Sequence, residues 1–252
     1  MGGCVVKKDY AFTREDGLVI RGRLYAPDDV EKFPVVIFGH GFGSNYKDLE
    51  HHAPEMAKDG VGCLLIDFCG GGEGGTSDGK WEDMTPRTEC LDMETVVLQI
   101  DQIEGANTDN VFVMGESLGG LVSALVAAKL QEKVRGAILW YPALELPDKV
   151  RRTFPDGVVH ETEFLGSTVT KAYYEALLPM QAYEEAARYK GPVLIVQGDA
   201  DDIVPAESSV HAQQCYENAA LLLLPKAGHG FDFPDNVTAR EASVRFILNH
   251  VE

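Results

Sequence analysis

The sequence predicts an α/β chain: a mostly parallel, doubly wound sheet that opens on an antiparallel hairpin and carries one long insertion. Three observations predict it. Short apolar runs without polar alternation recur along the chain, segments of helical length separate them, and one connection is far longer than the others. Uninterrupted apolar runs are what parallel strands show when helices cover both faces of a sheet. Their regular exchange with helices implies right-handed crossovers and a single layered core.

In chain order, residues 5–12 and 18–25 flank the turn signal Glu15-Asp16-Gly17 and form the hairpin. Leu18, Ile20 and Leu24 alternate with polar neighbours as a half-buried edge requires. The runs 35–38, 63–66, 111–114, 137–140, 193–196 and 221–224 supply the buried strands. The helix candidates are 47–59, 88–103, 118–130, 206–216 and 236–251. Between the fourth and fifth buried strands lie residues 142–190, much longer than an ordinary strand-to-strand connection. This stretch carries Phe154, Phe164, Tyr173, Tyr174 and Tyr183. Its second half, about 168–189, has helical character, and the segment is expected to form a small cap over the site. The 252 residues suit one large domain, 1–252, with 142–190 as the cap. A chain of this size buries enough surface to need no metal or disulfide staple.

The formal charge of −18 argues against a nucleic-acid partner and against docking on an anionic membrane, since both call for clustered cations. Five cysteines, an odd number at irregular spacing and with no CxxC pair, fit free thiols in a reducing compartment. Met1-Gly2 begins like a myristoylation signal, but Val6 stands where Ser or Thr is wanted. The first ten residues lack a signal-peptide core, and no run approaches a membrane span, so a cytoplasmic location is expected.

The chemistry concentrates at ends of strands. Gly115-Glu116-Ser117-Leu118-Gly119-Gly120 joins a predicted strand directly to an apolar helix. That sharp turn presents a serine hydroxyl in a strained backbone, with glycines giving room and a helix N-terminus supplying positive potential behind it. A serine needs a base, and the base an orienting acid. Gly198-Asp199-Ala200-Asp201-Asp202-Ile203-Val204-Pro205 and Gly228-His229-Gly230 follow the last two strands, in the order serine, acid, histidine. The spacing selects Asp201, with Asp199 and Asp202 as alternatives. The catalytic set is therefore Ser117, Asp201 and His229. His40-Gly41-Phe42-Gly43 follows the first parallel strand. The N–H groups of Phe42 and Leu118 are the expected oxyanion donors, and His40 is expected to orient its loop. His51-His52 lacks the partner ligands of a metal site, and Gly70-Gly71-Gly72-Glu73-Gly74-Gly75 lacks the ending of a phosphate loop and is expected to be a flexible loop near the site. Asp67 is expected to order that loop, and Arg151 and Arg152 to lie on a solvated cap surface. No cofactor or metal is implied.

These elements, in this order, resemble the α/β-hydrolase superfamily from about Val5 to Val251. The segment from Asp67 to Thr85, together with the cap, is similar to bacterial feruloyl and cinnamoyl esterases. Those enzymes usually read D-F-x-G-H-G-x-S-x-G, where this chain has a glycine in place of the histidine and extra glycines. It also has Glu116 before the serine, where many of them have histidine; G-E-S-x-G-G occurs as well in monoacylglycerol-lipase-like enzymes. The resemblance implies the α/β-hydrolase fold and a serine carboxylesterase acting on a small-molecule ester. The cap would hold an aromatic acyl group, with His40, Trp140, Tyr173 and Tyr174 as substrate contacts. A lipase or serine peptidase of the same fold is the enzymatic alternative, and a binding protein that has lost its chemistry the non-enzymatic one. A homodimer is left open.

Overall fold

In the computed structural model, residues 4–252 are described; the Met1-Gly2 start lies outside them. Eight strands form one sheet: β1 (Val5–Thr13), β2 (Val19–Pro27), β3 (Phe33–Gly39), β4 (Gly62–Ile66), β5 (Ala106–Glu116), β6 (Gly136–Trp140), β9 (Val193–Gly198) and β10 (Ala219–Leu224). Their spatial order is β1-β2-β4-β3-β5-β6-β9-β10. The two N-terminal strands pair antiparallel, as do β2 and β4, and every pair from β4 to β10 is parallel. All the predicted strands are present. The chain winds from β3 outward to β4, then returns to place β5 on the other side of β3. This reversal opens a crevice at the carboxyl ends of β3 and β5, where open α/β sheets hold their ligands.

Strand side chains alternate strictly between two cores. Val35, Ile37, Val111, Val113, Ala137 and Leu139 enter one, with helices α3 (Pro86–Leu98) and α4 (Leu118–Lys129). Val36, Phe38, Phe112, Met114, Ile138 and Trp140 enter the other, with α2 (Ala53–Lys58) and α9 (Asp235–Asn249). Burial on both faces explains why these strands lack polar alternation in sequence.

Several helices differ from their predicted extents. The first candidate splits into α1 (Tyr46–Leu49) and α2, with Pro54 in the opening turn of the second. The second ends at Leu98 and continues as a single 3₁₀ turn over Ile100–Gln102. Residues 142–190 contain more than the sequence indicates: α5 (Leu146–Thr153), a hairpin of β7 (Thr162–Phe164) and β8 (Ser167–Val169), α6 (Lys171–Leu177) and α7 (Ala182–Ala186). The predicted helical half is thus two short helices, parted around Pro179. Arg151 is not a free surface cation. Its guanidinium donates to the carbonyls of Leu178 (3.0 Å) and Met180 (2.7 Å), tying α5 to the loop between α6 and α7. α8 (Ala206–Cys215) packs beside β9 and β10. Among the described residues all five cysteines are free, no His/Cys/Asp/Glu group is arranged to hold a metal, and no helix is long and apolar enough to cross a membrane.

Candidate active site

Ser117 caps α4 with φ 52° and ψ −115°, a conformation that costs a non-glycine residue about 1–3 kcal/mol. The surroundings enforce it. The Ser117 N–H donates to the carbonyl of Trp140 (2.9 Å), and its carbonyl accepts from Ala143 (3.0 Å) and Leu121 (3.2 Å). The two flanking glycines are required by contact. A Cβ on Gly115 would lie 2.0 Å from the Gly119 carbonyl oxygen, and one on Gly119 would lie 2.4 Å from that of Gly39. Backbone therefore packs on backbone where β3, β5 and α4 meet.

Asp201 and His229 come from the loops after β9 and β10. The imidazole Nδ1 is 2.8 Å from Oδ2 of Asp201, and Oδ1 accepts from the N–H groups of Ile203 and Val204, both at 2.9 Å. Gln197 donates to the same carboxylate at 3.2 Å. Burial pushes this carboxyl up, but the imidazole and the two backbone donors outweigh it and leave Asp201 below the ordinary carboxylate range. Asp199 and Asp202 are exposed, and Asp199 accepts from the backbone of Lys226 instead. The geometry therefore pairs the histidine with Asp201 and not with either neighbour.

The imidazole approaches the serine turn through an intermediary. Its ring lies 4.5 Å from that of Tyr141, whose hydroxyl donates to Glu116, the residue before Ser117, at 2.6 Å. Among the described residues no direct hydrogen bond joins the Ser117 hydroxyl to His229, whose imidazole is bonded to Asp201. Tyr141 is a site residue that the sequence reading missed. Its φ of 35° is a property of the fold and leaves no local signature in sequence.

Ser117, Leu118 and Phe42 line one wall of a cleft. Among the described residues the N–H groups of Phe42 and Leu118 make no backbone hydrogen bond and remain available there. The facing wall comes from residues 142–190, with Val150, Phe164, Val169, Tyr173 and Tyr174. Phe42 stands in an aromatic cluster with its ring centroid 5.1 Å from Trp81, 5.8 Å from Phe164 and 5.5 Å from Tyr173. Glu145 and Lys149 add charge to a largely apolar lining. Burial raises the Glu145 carboxyl, against a 2.9 Å hydrogen bond from Ser208 and the charge of Lys149.

Two expected substrate contacts lie elsewhere. Trp140 is fully buried and donates to Ser243 at 3.1 Å. Strand alternation sends it to the core opposite the cleft, so an aromatic residue at a strand end is not by itself a pocket residue. His40 is also buried, bridging its own loop to the next. Nδ1 lies 2.8 Å from the carbonyl of Gly41, and Nε2 accepts from the N–H of Phe68 at 3.2 Å. Burial lowers its basicity, so a neutral ring with the proton on Nδ1 satisfies both contacts. It orders the loop and does not line the cleft.

The glycine-rich loop is pinned. Asp67 accepts from the N–H of Tyr46 (2.7 Å), the N–H of Thr76 (2.6 Å) and the Thr76 hydroxyl (2.8 Å). Gly72 presses so closely on Ser44 that a Cβ would lie 1.9 Å from its carbonyl oxygen.

Residues 31–181 match the family described as Hydrolase_4, serine aminopeptidase, S33, and residues 176–250 match that described as Abhydrolase_4, TAP-like protein. The chain belongs to the Hydrolase_4 family. It is an α/β-hydrolase, and its relatives in solved structures include esterases. Est1E from Butyrivibrio proteoclasticus with ferulic acid bound superposes with a TM-score of 0.86 at 26% identity, over 96% of this chain and 98% of that one. An acetyl xylan esterase from Paenibacillus sp. R4 shares the fold at TM-score 0.73 and 20% identity, over 98% of this chain and 84% of its own. The human acylamino-acid-releasing enzyme is 25% identical across 81% of this chain, which spans only 29% of that enzyme's length.

Proposed function

We propose that this hydrolase is a serine carboxylesterase that forms an acyl-enzyme, with Ser117 as nucleophile, His229 as general base and acid, and Asp201 as the orienting acid. The observation that carries the reading is the strained Ser117 turn on the wall of an aromatic-lined cleft, beside two unspent N–H donors and an Asp201–His229 pair at 2.8 Å. Nδ1–H donates to Asp201, which leaves Nε2 free as the base. Ser117 attacks the ester carbonyl while Nε2 takes its proton. The developing oxyanion is received by the N–H groups of Phe42 and Leu118. The imidazolium then protonates the leaving alcohol. Water, deprotonated by the same nitrogen, releases the acid and restores the serine.

The acyl group is read as small and aromatic, of the hydroxycinnamoyl kind. Phe42, Phe164, Tyr173 and Tyr174 offer edges and faces to a planar ring, and ferulic acid is the molecule bound to Est1E. Residues 142–190 act in this reading as the cap. A peptidase reading is favoured by the family description and by the human relative. One substrate panel separates the two: methyl ferulate, p-nitrophenyl acetate and butyrate, a monoacylglycerol, and an aminoacyl anilide. Preferred turnover of the aromatic ester, with loss of turnover and of fluorophosphonate labelling in Ser117→Ala, is the expected outcome. Labelling that persists in Ser117→Ala would remove the nucleophile assignment, and preferred turnover of the anilide would replace esterase by peptidase.

A further inference from the structure

The reaction just described makes no use of the carboxylate of Glu116, yet that group touches both loops on which the reaction depends. Its Oε1 accepts from the N–H of Gly41 at 3.4 Å, one residue before the Phe42 donor. Its Oε2 accepts from the Tyr141 hydroxyl at 2.6 Å, and the Tyr141 ring faces the His229 imidazole at 4.5 Å. The Gly41 loop also sits directly on the nucleophile turn, since a Cβ there would lie 3.5 Å from the Cβ of Ser117.

Tyr141 is held in a costly conformation. Its φ is 35°, and that of Phe231, which stacks edge-on against it at 4.7 Å, is 37°. Left-handed backbone at bulky residues costs about 1–3 kcal/mol each and persists only where neighbours over-determine it. Here the Tyr141 N–H donates to the Val196 carbonyl at 2.7 Å, and its hydroxyl is bound to Glu116. The imidazole thus rests on a ring that cannot tilt without breaking the bond to Glu116.

We propose that Glu116 and Tyr141 are a positioning pair that locks the oxyanion loop and the imidazole plane to the same carboxylate. The proposal rests on the reading of Ser117 and His229 as nucleophile and base. The chemistry of the pair makes a specific demand on substitution. Glutamine can meet both contacts, its carbonyl accepting from Gly41 and its amide donating to a reversed Tyr141 hydroxyl. Leucine meets neither, and Tyr141→Phe keeps the ring but frees it.

The test is steady-state hydrolysis of p-nitrophenyl acetate by Glu116→Gln, Glu116→Leu, Tyr141→Phe and Ser117→Ala, with fluorophosphonate labelling rates and thermal melts for each. Glu116→Leu and Tyr141→Phe should lower kcat about tenfold or more with KM within about twofold, as misorientation does. Glu116→Gln should stay within about threefold of the parent, and labelling rates should fall in the same order. The positioning pair is overturned if both Glu116→Leu and Tyr141→Phe keep the parent kcat, if KM moves instead of kcat, or if glutamine is as poor as leucine. Should Glu116→Leu fail to fold, Tyr141→Phe and Glu116→Gln decide the question. Turnover that survives Ser117→Ala sinks the nucleophile assignment and this proposal with it. An inactive Ser117→Ala beside unaffected pair variants sinks the pair alone.

Discussion

Side chains at the candidate site are fixed by contacts whose removal has predictable consequences. Asp201 gives one oxygen to the imidazole and the other to two backbone N–H groups, so it is at once an orienting acid and the clasp of its own loop. Asp201→Asn keeps the shape and an acceptor for one set of donors, but its amide can present N–H to Nδ1 and so stabilise the wrong imidazole tautomer. We expect a fall in kcat of about 10³–10⁴ with the fold retained, measured by ester hydrolysis beside far-ultraviolet circular dichroism. Activity within tenfold of the parent would mean that another group orients His229. Gly119→Ala acts through space. Its Cβ would meet the carbonyls of Gly39 and His40 at 2.4 and 2.5 Å, backbone atoms that cannot swing aside. A loss of about 1–3 kcal/mol in urea unfolding is expected, together with a fall in kcat as the oxyanion loop is pushed off Ser117.

Among the elements, the β7–β8 hairpin brings Phe164 and Val169 to the cleft. Trp81 Nε1 donates to the Thr168 carbonyl at 2.7 Å, and Phe164 leans on Phe42. Trp81→Phe removes the first contact while keeping most of the stacking. It should raise KM for an aromatic ester about three- to tenfold and leave p-nitrophenyl acetate, too small to reach the hairpin, nearly unchanged. Equal effects on both esters would place the hairpin outside acyl recognition. This hairpin also marks where sequence reading stops. The central strands and α4 are legible because each is an unbroken apolar run buried nearly all round. The Ser117, Asp201 and His229 positions are legible because each sits at the end of such a strand. The hairpin is not, because three-residue strands with exposed Glu163 and Phe164 carry no period. Tyr141 and Glu116 were passed over because their roles arise from a left-handed backbone and a contact between separate loops. Trp140 misled for the converse reason: it ends the right strand but points to the wrong face.

For the molecule as a whole, the formal charge of −18 is carried mostly at the surface, and the instructive exception is the buried acid Glu89 on α3. Among the described residues its Oε2 has no hydrogen-bond partner. Asp92, one turn along, is held by Arg14 at 2.8 Å and by the N–H of Cys69 at 2.7 Å. Burial first, and the charge of Asp92 second, drive the Glu89 carboxyl well above the ordinary carboxylate range. The folded state therefore holds a proton here that the unfolded chain gives up near its unperturbed pKa of about 4.3. A raised folded pKa means that this group's contribution is fully present below the unfolded value and is lost as pH rises through the folded one. Glu89→Gln keeps the shape and has no proton to lose. Its stability relative to the parent should therefore climb with pH above about 4.3, by at most about 1.4 kcal/mol per unit, until the folded pKa is passed. Thermal unfolding of both proteins from pH 4 to pH 9 measures the difference. Melting curves that stay a constant distance apart across that range would mean that Glu89 titrates alike in the folded and unfolded chains.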